Sequence, residues 1–172
     1  VQTGVCPPVA IEPVGTTCLG DDVALEVPAF MDNPLAESLA NYSWSGPNGF
    51  ASNSATALLP NAALDDAGSY FLEVTFTGLE CLLSSANYQL LVHIPTPLFD
   101  APDSQCIDGN AFDFAAQGDQ FPGATFEWSF ENSDPGTIPG AYINDVALSQ
   151  PGWNTVHLTL NEIGCTAETI DS

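Results

Sequence analysis

The chain contains no lysine and no arginine, although 22 of its 172 residues are aspartate or glutamate. A chain of average composition would carry about 20 basic residues at this length, since charged residues make up roughly a quarter of a typical protein. The formal net charge is therefore −22. Without lysine or arginine to neutralise phosphates, the chain is not expected to bind nucleic acid or anionic membrane surfaces. Each carboxylate must find water, a hydroxyl, a backbone N–H group or a metal ion.

Long apolar runs and catalytic residue sets are also missing. No stretch approaches the roughly 18 apolar residues of a membrane-spanning helix, so we expect no direct membrane insertion. The two histidines, His93 and His157, fall in separate predicted strands and are interpreted as ordinary surface or satisfied residues. A pair of carboxylates could serve acid–base chemistry, but all-β repeats seldom form the deep cleft that such a pair needs. We therefore predict no catalytic residues and no enzyme.

The sequence contains an internal repeat. Gly68–Cys81 aligns without gaps on Gly152–Cys165, an offset of 84 residues, and Trp44 aligns with Trp128 at the same offset. Two such stretches predict two small domains in tandem, each long enough to bury a core.

Short apolar and β-branched runs recur in both repeats, separated by Gly, Pro, Asn and Asp. Val23-Ala24-Leu25-Glu26-Val27, for example, alternates in the manner of a half-buried strand. Short, regularly spaced strands predict an all-β sandwich in each domain. The predicted strands are 23–27, 41–45, 55–59, 70–76 and 88–94 in the first domain, and 111–114, 125–130, 142–148 and 154–160 in the second.

The domain boundary is predicted at Pro95-Thr96-Pro97, where two prolines make a short stiff connector. This gives a lead-in from a preceding segment over 1–9, a first domain over 10–95 and a second over 96–172. The first domain closes with the strand at 88–94, whose equivalent at an offset of 84 would fall at 172–178. We therefore expect the second domain to lack its last strand, with 166–171 supplying only the lead-in to it.

Five cysteines in a small acidic chain indicate an oxidising compartment. Their matching places in the two repeats predict the disulfides Cys18–Cys81 and Cys106–Cys165. Each would close a loop of about 60 residues and stabilise its domain by roughly 4 kcal/mol in the chain-entropy model. Cys6 is left unpaired or bonded outside the two domains.

The stretch Asp66-Ala67-Gly68-Ser69-Tyr70 resembles the Asp-x-Gly-x-Tyr motif of immunoglobulin-like domains. The resemblance implies a sandwich in which Tyr70 forms the corner that ties two sheets together and Trp44 fills the core. Leu72 stands where antibody domains have their second cysteine. The cysteine positions and Trp44-Ser45-Gly46-Pro47-Asn48-Gly49-Phe50 are similar instead to the Ig-like repeats of very large surface and secreted proteins of Bacteroidota-type bacteria.

The second repeat resembles a PKD-like domain, a related sandwich, in Phe126-Glu127-Trp128-Ser129-Phe130 and in the run from Pro151 to Leu160. The resemblance implies that Trp128 is buried in the core. The aspartate and glycine that follow the tryptophan in that family are absent, and Ser129 and Glu131 stand near their places. No ligand role is carried over from that loop.

Two further features admit a binding role. Trp153, beside the turn Gln150-Pro151-Gly152, is either an exposed aromatic for stacking on a sugar or a residue packed against a loop. Asp100, Asp103 and Asp108 flank the domain boundary, and calcium favours aspartate oxygens, although no EF-hand spacing is present. Calcium there would stiffen the array, and no other cofactor is predicted.

The leading hypothesis is a non-enzymatic structural segment of a long extracellular, secreted or cell-surface adhesin or filament. Its partners would be adjacent repeat domains of the same chain, with a homo-oligomer or fibre as a further arrangement. The alternative is a carbohydrate-binding or spacer module of a secreted polysaccharide-degrading enzyme. A hydrolase in its own right would need a cleft with two facing carboxylates.

Overall fold

The computed structural model describes residues 15–27, 38–77, 82–118 and 121–171. The chain divides into two compact units, Val1–His93 and Ile94–Ser172, each with its own hydrophobic core. The division falls just before the predicted connector at Pro95. The lead-in predicted over 1–9, including Cys6, lies outside the described residues.

The first unit is a sandwich of two sheets. Its strands are β1 (Thr16–Cys18), β2 (Val23–Glu26), β3 (Ala40–Ser45), β4 (Ala51–Ser52), β5 (Thr56–Leu59), β6 (Gly68–Phe76) and β7 (Leu82–His93), with short 3-10 helices at Pro47–Gly49 and Leu64–Asp66. One sheet has the order β1-β7-β6-β3-β4, and β2 pairs with β5 in the other. Strand β1 runs parallel to β7, and the other pairs are antiparallel.

Alternation along β6 builds the core of this unit. Tyr70, Leu72 and Val74 are fully buried, whereas the residues between them face solvent. Trp44 on β3 stands directly opposite Leu72 and is 1 % exposed. Side chains with this two-residue period place one apolar face against the opposite sheet, which is why the sequence pattern predicted these strands.

The second unit is a sandwich of a four-stranded and a three-stranded sheet. Its strands are β8 (Leu98–Phe99), β9 (Phe112–Gln117), β10 (Thr125–Phe130), β11 (Thr137–Pro139), β12 (Tyr142–Val146), β13 (Val156–Glu162) and β14 (Cys165–Asp171). The sheets have the orders β11-β10-β13-β14 and β12-β9-β8. The fold class predicted from the sequence, two all-β immunoglobulin-like sandwiches, is confirmed.

The structural repeat differs from the sequence repeat by two residues. Trp128 stands opposite Leu158, as Trp44 stands opposite Leu72. The β6 and β13 strands therefore match at an offset of 86, not 84, so that Tyr70 corresponds to Val156. A shift of two residues keeps every side chain on the same face of the strand, which is why the gapless alignment still gave the correct buried positions.

Strand β14 overturns the expectation that the second domain lacks its last strand. It begins at Cys165, directly after the turn at 163–164, and pairs with β13 over seven residues, from Glu162↔Cys165 to Val156↔Asp171. The error arose because the first-unit strand was predicted to begin at residue 88, whereas β7 begins at Leu82. Residues 166–171 are thus the strand itself.

Candidate functional site

The first unit is closed at one end by a tyrosine corner. The Tyr70 hydroxyl donates a hydrogen bond of 2.8 Å to the backbone oxygen of Asp66, and the side chain is fully buried. Burial, and secondarily the charge of the Asp66 carboxylate, raise the pKa of Tyr70 above its usual 10.0. The corner therefore depends on a neutral phenol.

The loop 46–50 packs closely on this corner, and glycine at position 46 makes this possible. A Cβ atom added to Gly46 would lie 2.5 Å from the Tyr70 ring, and one added to Gly68 would lie 3.0 Å from Pro47. The Asn48 amide donates to an Asp66 carboxylate oxygen at 3.1 Å. The edge of Phe50 meets Tyr70 with ring centroids 5.2 Å apart. These contacts leave this end of the sandwich filled.

Both core tryptophans donate a hydrogen bond from the indole N–H to a backbone oxygen. The indole N–H of Trp44 donates to the Ser54 oxygen at 3.0 Å, and that of Trp128 donates to the Gly140 oxygen at 2.8 Å. Each side chain is at most 1 % exposed, so the predicted burial of both is confirmed. A buried indole with a backbone partner leaves no unsatisfied donor in the core.

The cysteines differ from the predicted pairing. Cys18 and Cys165 are disulfide-bonded, whereas Cys106 is a free and exposed thiol, so the predicted Cys106–Cys165 pair is wrong. The reason is distance. Gln105, next to Cys106, lines a cavity with Val156 at the start of β13, while Cys165 pairs with Glu162 at its end. Six residue steps of strand span about 20 Å, but a disulfide joins Cα atoms roughly 4–7 Å apart.

Cys18 is disulfide-bonded and stands at the end of β1, opposite His93 of β7. The partner predicted from the sequence is Cys81. Cys81 itself lies outside the described residues, so the pair stays a prediction.

One histidine and one acidic side chain of the second unit have defined partners among the described residues. His157 on β13 contacts Glu168 on β14, with Nδ1 and Oε1 2.5 Å apart, and its side chain is 34 % exposed. His93 belongs to the other unit. Glu162 is buried, and its carboxylate accepts a hydrogen bond from the Phe121 backbone N–H at 3.2 Å.

The three candidate calcium ligands are not brought together. No group of three or more His, Cys, Asp or Glu side chains suited to a metal ion occurs among the described residues. Asp100 instead accepts a 2.5 Å hydrogen bond from the Gln117 amide, and Asp103 lines the cavity described next. Asp100, Asp103 and Asp108 therefore do not form the predicted site in this structure.

Trp153 is the most exposed large apolar side chain among the described residues, at 88 %. The interpretation that it packs against a loop is therefore wrong. It lines a cavity of about 380 Å³ together with residues of the segments 99–105, 112–114 and 148–156 and with Asp171. This volume lies at the lower end of the range for small-ligand sites. Of the residues singled out from the sequence, only Trp153 and Asp103 meet here.

The floor and the rim of this cavity have different chemistry. Phe99, Phe112, Phe114, Leu148 and Val156 supply an apolar lining. Phe99 and Phe114 are continuous with the core through Trp128, with ring centroids 5.1 and 5.5 Å from that indole. The rim is polar and includes the carboxylate-bearing residues Asp103 and Asp171 and the hydroxyl of Ser104. We call this feature the Trp153 cleft.

Side-chain amides brace the loops that form the Trp153 cleft. Asn154 donates to the backbone oxygens of Gln150 and Gly152 at 3.2 and 3.0 Å, and its own oxygen accepts from Asn132 at 2.7 Å. These bonds fix the turn that carries Trp153.

The opposite wall is held in the same way. Gln105 makes two hydrogen bonds to the backbone of Ala111, and Asn110 makes two to the backbone of Leu148, at 2.7 to 3.0 Å. Sequence reasoning missed all of these amides. Their only local signal is that most of them stand close to the turns 108–110 and 150–152.

Three solved structures of immunoglobulin-domain proteins resemble the chain at low sequence identity. No protein-family model matches the chain, and no curated protein matches it. Murine CEACAM1b is 14 % identical, with a TM-score of 0.45 over 93 % of this chain and 95 % of that one. The IG1+IG2 segment of DIP-gamma is 10 % identical, with a TM-score of 0.45 over 95 % of each chain. Sidekick-1 immunoglobulin domains 1–5 are 20 % identical, with a TM-score of 0.46 over 98 % of this chain and 39 % of that one. Among the described residues, no helix is long and apolar enough to cross a membrane.

Proposed function

We propose that the chain is a non-enzymatic structural segment of a long extracellular, cell-surface adhesin or filament built from immunoglobulin-like repeats. The observation that carries this proposal is the succession of two sandwiches, each with its own core. Units of this kind in tandem are the usual basis of extended arrays. The immediate partners are then the neighbouring domains of the same chain.

The chemistry of the chain supports an extracellular location. The disulfide bonds at Cys18 and Cys165 are of the kind that persists in oxidising compartments. The absence of lysine and arginine removes every cleavage site of trypsin-like proteases. A net charge of −22 also keeps neighbouring copies apart.

Immunogold labelling of intact cells of the native source tests this proposal. Antibodies raised against the chain should decorate surface fibres without permeabilisation. The mass of the native protein provides a second test, since many similar repeats are expected around this segment. Labelling confined to permeabilised cells, or a native protein dominated by a catalytic domain, would contradict the proposal.

One observation favours the alternative, a carbohydrate-binding module of a secreted polysaccharide-degrading enzyme. Trp153 is exposed beside a cavity, and exposed aromatic rings stack on sugars. A glycan array compares the two: the spacer-adhesin role predicts no binding, whereas the alternative predicts binding that Trp153→Ala abolishes. Tyr142→Ala is the matched control, because Tyr142 is 61 % exposed in the same unit and does not line the cleft.

A further inference from the structure

We propose that the Trp153 cleft binds a cationic, partly apolar peptide segment of a partner protein. An aliphatic side chain of that segment occupies the apolar floor, and a lysine or arginine lies over the Trp153 ring near the carboxylates of Asp103 and Asp171. The proposal rests on the proposed adhesive role and names the chemistry of the partner. Four properties of the cleft carry it.

The first property is an apolar floor that remains open. Phe99, Phe112, Phe114, Leu148 and Val156 line the cavity of about 380 Å³, and all five belong to or pack against the core of the unit. A ligand that covers this lining removes apolar surface from water, and this favours binding. An aliphatic side chain is a suitable occupant.

The second property is the rigid presentation of Trp153. Three hydrogen bonds of Asn154 hold the turn on which the indole stands, and Gly152 has a φ of 103° that favours glycine. A turn that is already braced loses little backbone freedom on binding. This distinguishes Trp153 from an aromatic side chain that is exposed on a mobile loop.

The third property is the kind of polar group that the cleft offers. The amides of Gln105 and Asn154 also line it, but their hydrogen bonds are directed to the backbone and to Asn132. The carboxylates of Asp103 and Asp171 each provide several acceptor positions and no donor. A ligand that supplies positively charged donors matches this set.

The fourth property is charge complementarity. Lysine and arginine are attracted to the face of tryptophan, by about 0.5–2 kcal/mol depending on exposure. The field of a chain with net charge −22 and no basic residue draws cations toward the cleft. These 172 residues contain no lysine or arginine, so the bound segment lies outside them. A neutral glycan would gain nothing from this field.

Binding of short blocked peptides, followed by fluorescence anisotropy of a labelled peptide at low ionic strength, tests the proposal. The probe is a hexapeptide of alternating lysine and leucine. Peptides with glutamate in place of lysine, or with serine in place of leucine, are the controls, and maltohexaose is a neutral competitor. We expect saturable binding of the lysine–leucine peptide alone, with affinity that falls as salt is added.

Variants locate the binding. Trp153→Ala should weaken it about two- to thirtyfold, which corresponds to the cation–π range, while Tyr142→Ala leaves it unchanged. The double variant Asp103→Asn with Asp171→Asn should weaken peptide binding more than the double variant Glu127→Gln with Asp145→Asn does. The second variant removes the same charge from exposed sites outside the cleft. Because the substituted side chains are exposed, the variants are expected to fold, and circular-dichroism melts verify this.

Several results would overturn the proposal. They are the absence of saturable peptide binding, equal binding by Trp153→Ala, equal losses in the two charge-matched pairs, or displacement by maltohexaose. The last result would make the site a glycan site. None of them would affect the structural role, which is tested by surface labelling and native mass.

Discussion

The two units build the same core around a tryptophan but close the corresponding end of the sandwich differently. In the first unit Tyr70 reaches back to Asp66, and Phe50 and the Gly46 loop pack against its ring. In the second unit Val156 stands at the matching position, and Asn154 holds the turn instead. An asparagine braces the backbone but fills little space. The open cleft beside Trp153 follows from the replacement of the tyrosine corner by the turn that Asn154 holds.

Because of this difference, the residues that stabilise the two units are distinct from the residues that we propose for binding. The core positions, Trp44 with Leu72 and Trp128 with Leu158, are equivalent and buried in both units. The sandwich therefore does not need a tyrosine corner to form. The end of the second unit is free to present an aromatic side chain and carboxylates, while the first unit keeps its end filled. We accordingly regard the first unit as structural and the second as the binding unit.

The largest expected effect distinguishes the two cysteines of the second unit. Cys165→Ser should lower the free energy of unfolding by about 2–5 kcal/mol, because it removes a native disulfide at a buried site. Cys106→Ser should change it by less than about 0.5 kcal/mol, because that thiol is free and exposed. Urea unfolding measures both. Equal losses would restore the pairing predicted from the sequence.

A glycine in the first unit provides the next test. Gly46→Ala should destabilise that unit by about 1–3 kcal/mol, because the new methyl group would overlap the Tyr70 ring. The φ of Gly46 is −166°, so the backbone itself accepts alanine. Gly15→Ala is the control, since nothing lies within 4 Å of its added Cβ. If both variants melt alike, the corner is less tightly packed than described.

The tyrosine corner of the first unit and the Asn154-held turn of the second unit can be disrupted separately. Tyr70→Phe removes the bond to Asp66, and Asn154→Ala removes the bonds to Gln150 and Gly152. Each should cost about 1–2 kcal/mol in its own unit, and the double variant should show the sum of the two losses. Amide hydrogen exchange assigns each loss to a unit. Loss of protection in both units from one change would contradict two independent closures.

Alkaline titration tests the tyrosine corner further. The pKa of Tyr70 is raised in the folded state, so its contribution to stability is fully present below pH 10 and is lost as the pH rises through the folded-state value. The chain has no lysine that titrates in this window. Tyr70→Phe should therefore flatten the fall in melting temperature above about pH 10. An unchanged slope would mean that the corner does not depend on the neutral phenol.

The smallest expected effect is that of salt. Screening of repulsion among the carboxylates should raise the melting temperature of both units by a few degrees up to about 0.5 M NaCl. Calcium chloride at matched ionic strength should add nothing, because the described residues hold no metal-ligand group. A flat or falling melting temperature in NaCl would contradict the electrostatic account. An additional shift in calcium would revive a metal site.

Local patterns predicted the sandwiches and their cores. The alternation from Tyr70 to Phe76 and the repeated tryptophans depend only on neighbours along a strand, so they are visible in the sequence. Strand β11 was missed, because its three exposed or partly exposed residues, Thr137–Pro139, are too few to show an alternation.

The cleft could not be predicted in the same way. It depends on hydrogen bonds between groups that meet only after folding. Gln105 bonds the backbone of Ala111, six residues away, and Asn110 bonds the backbone of Leu148, 38 residues away. Trp153 was noted, yet the sequence left its exposure open, because the Asn154 side chain that holds its turn is itself bonded by Asn132, 22 residues away. The Cys106–Cys165 pairing failed for the same reason, since matching places in two repeats do not bring these two cysteines together.

Chemical-shift mapping with the lysine–leucine peptide tests most directly whether the second unit is the binding unit. The three tryptophan indole N–H signals give a compact readout, because Trp44 and Trp128 are buried and Trp153 is 88 % exposed. We predict that the Trp153 indole and the amides of Phe112, Gly152, Val156 and Asp171 shift, while the Trp44 and Trp128 indoles and the amides of the first unit do not. Shifts that spread evenly over exposed carboxylates, or that centre on the first unit, would contradict this division of roles.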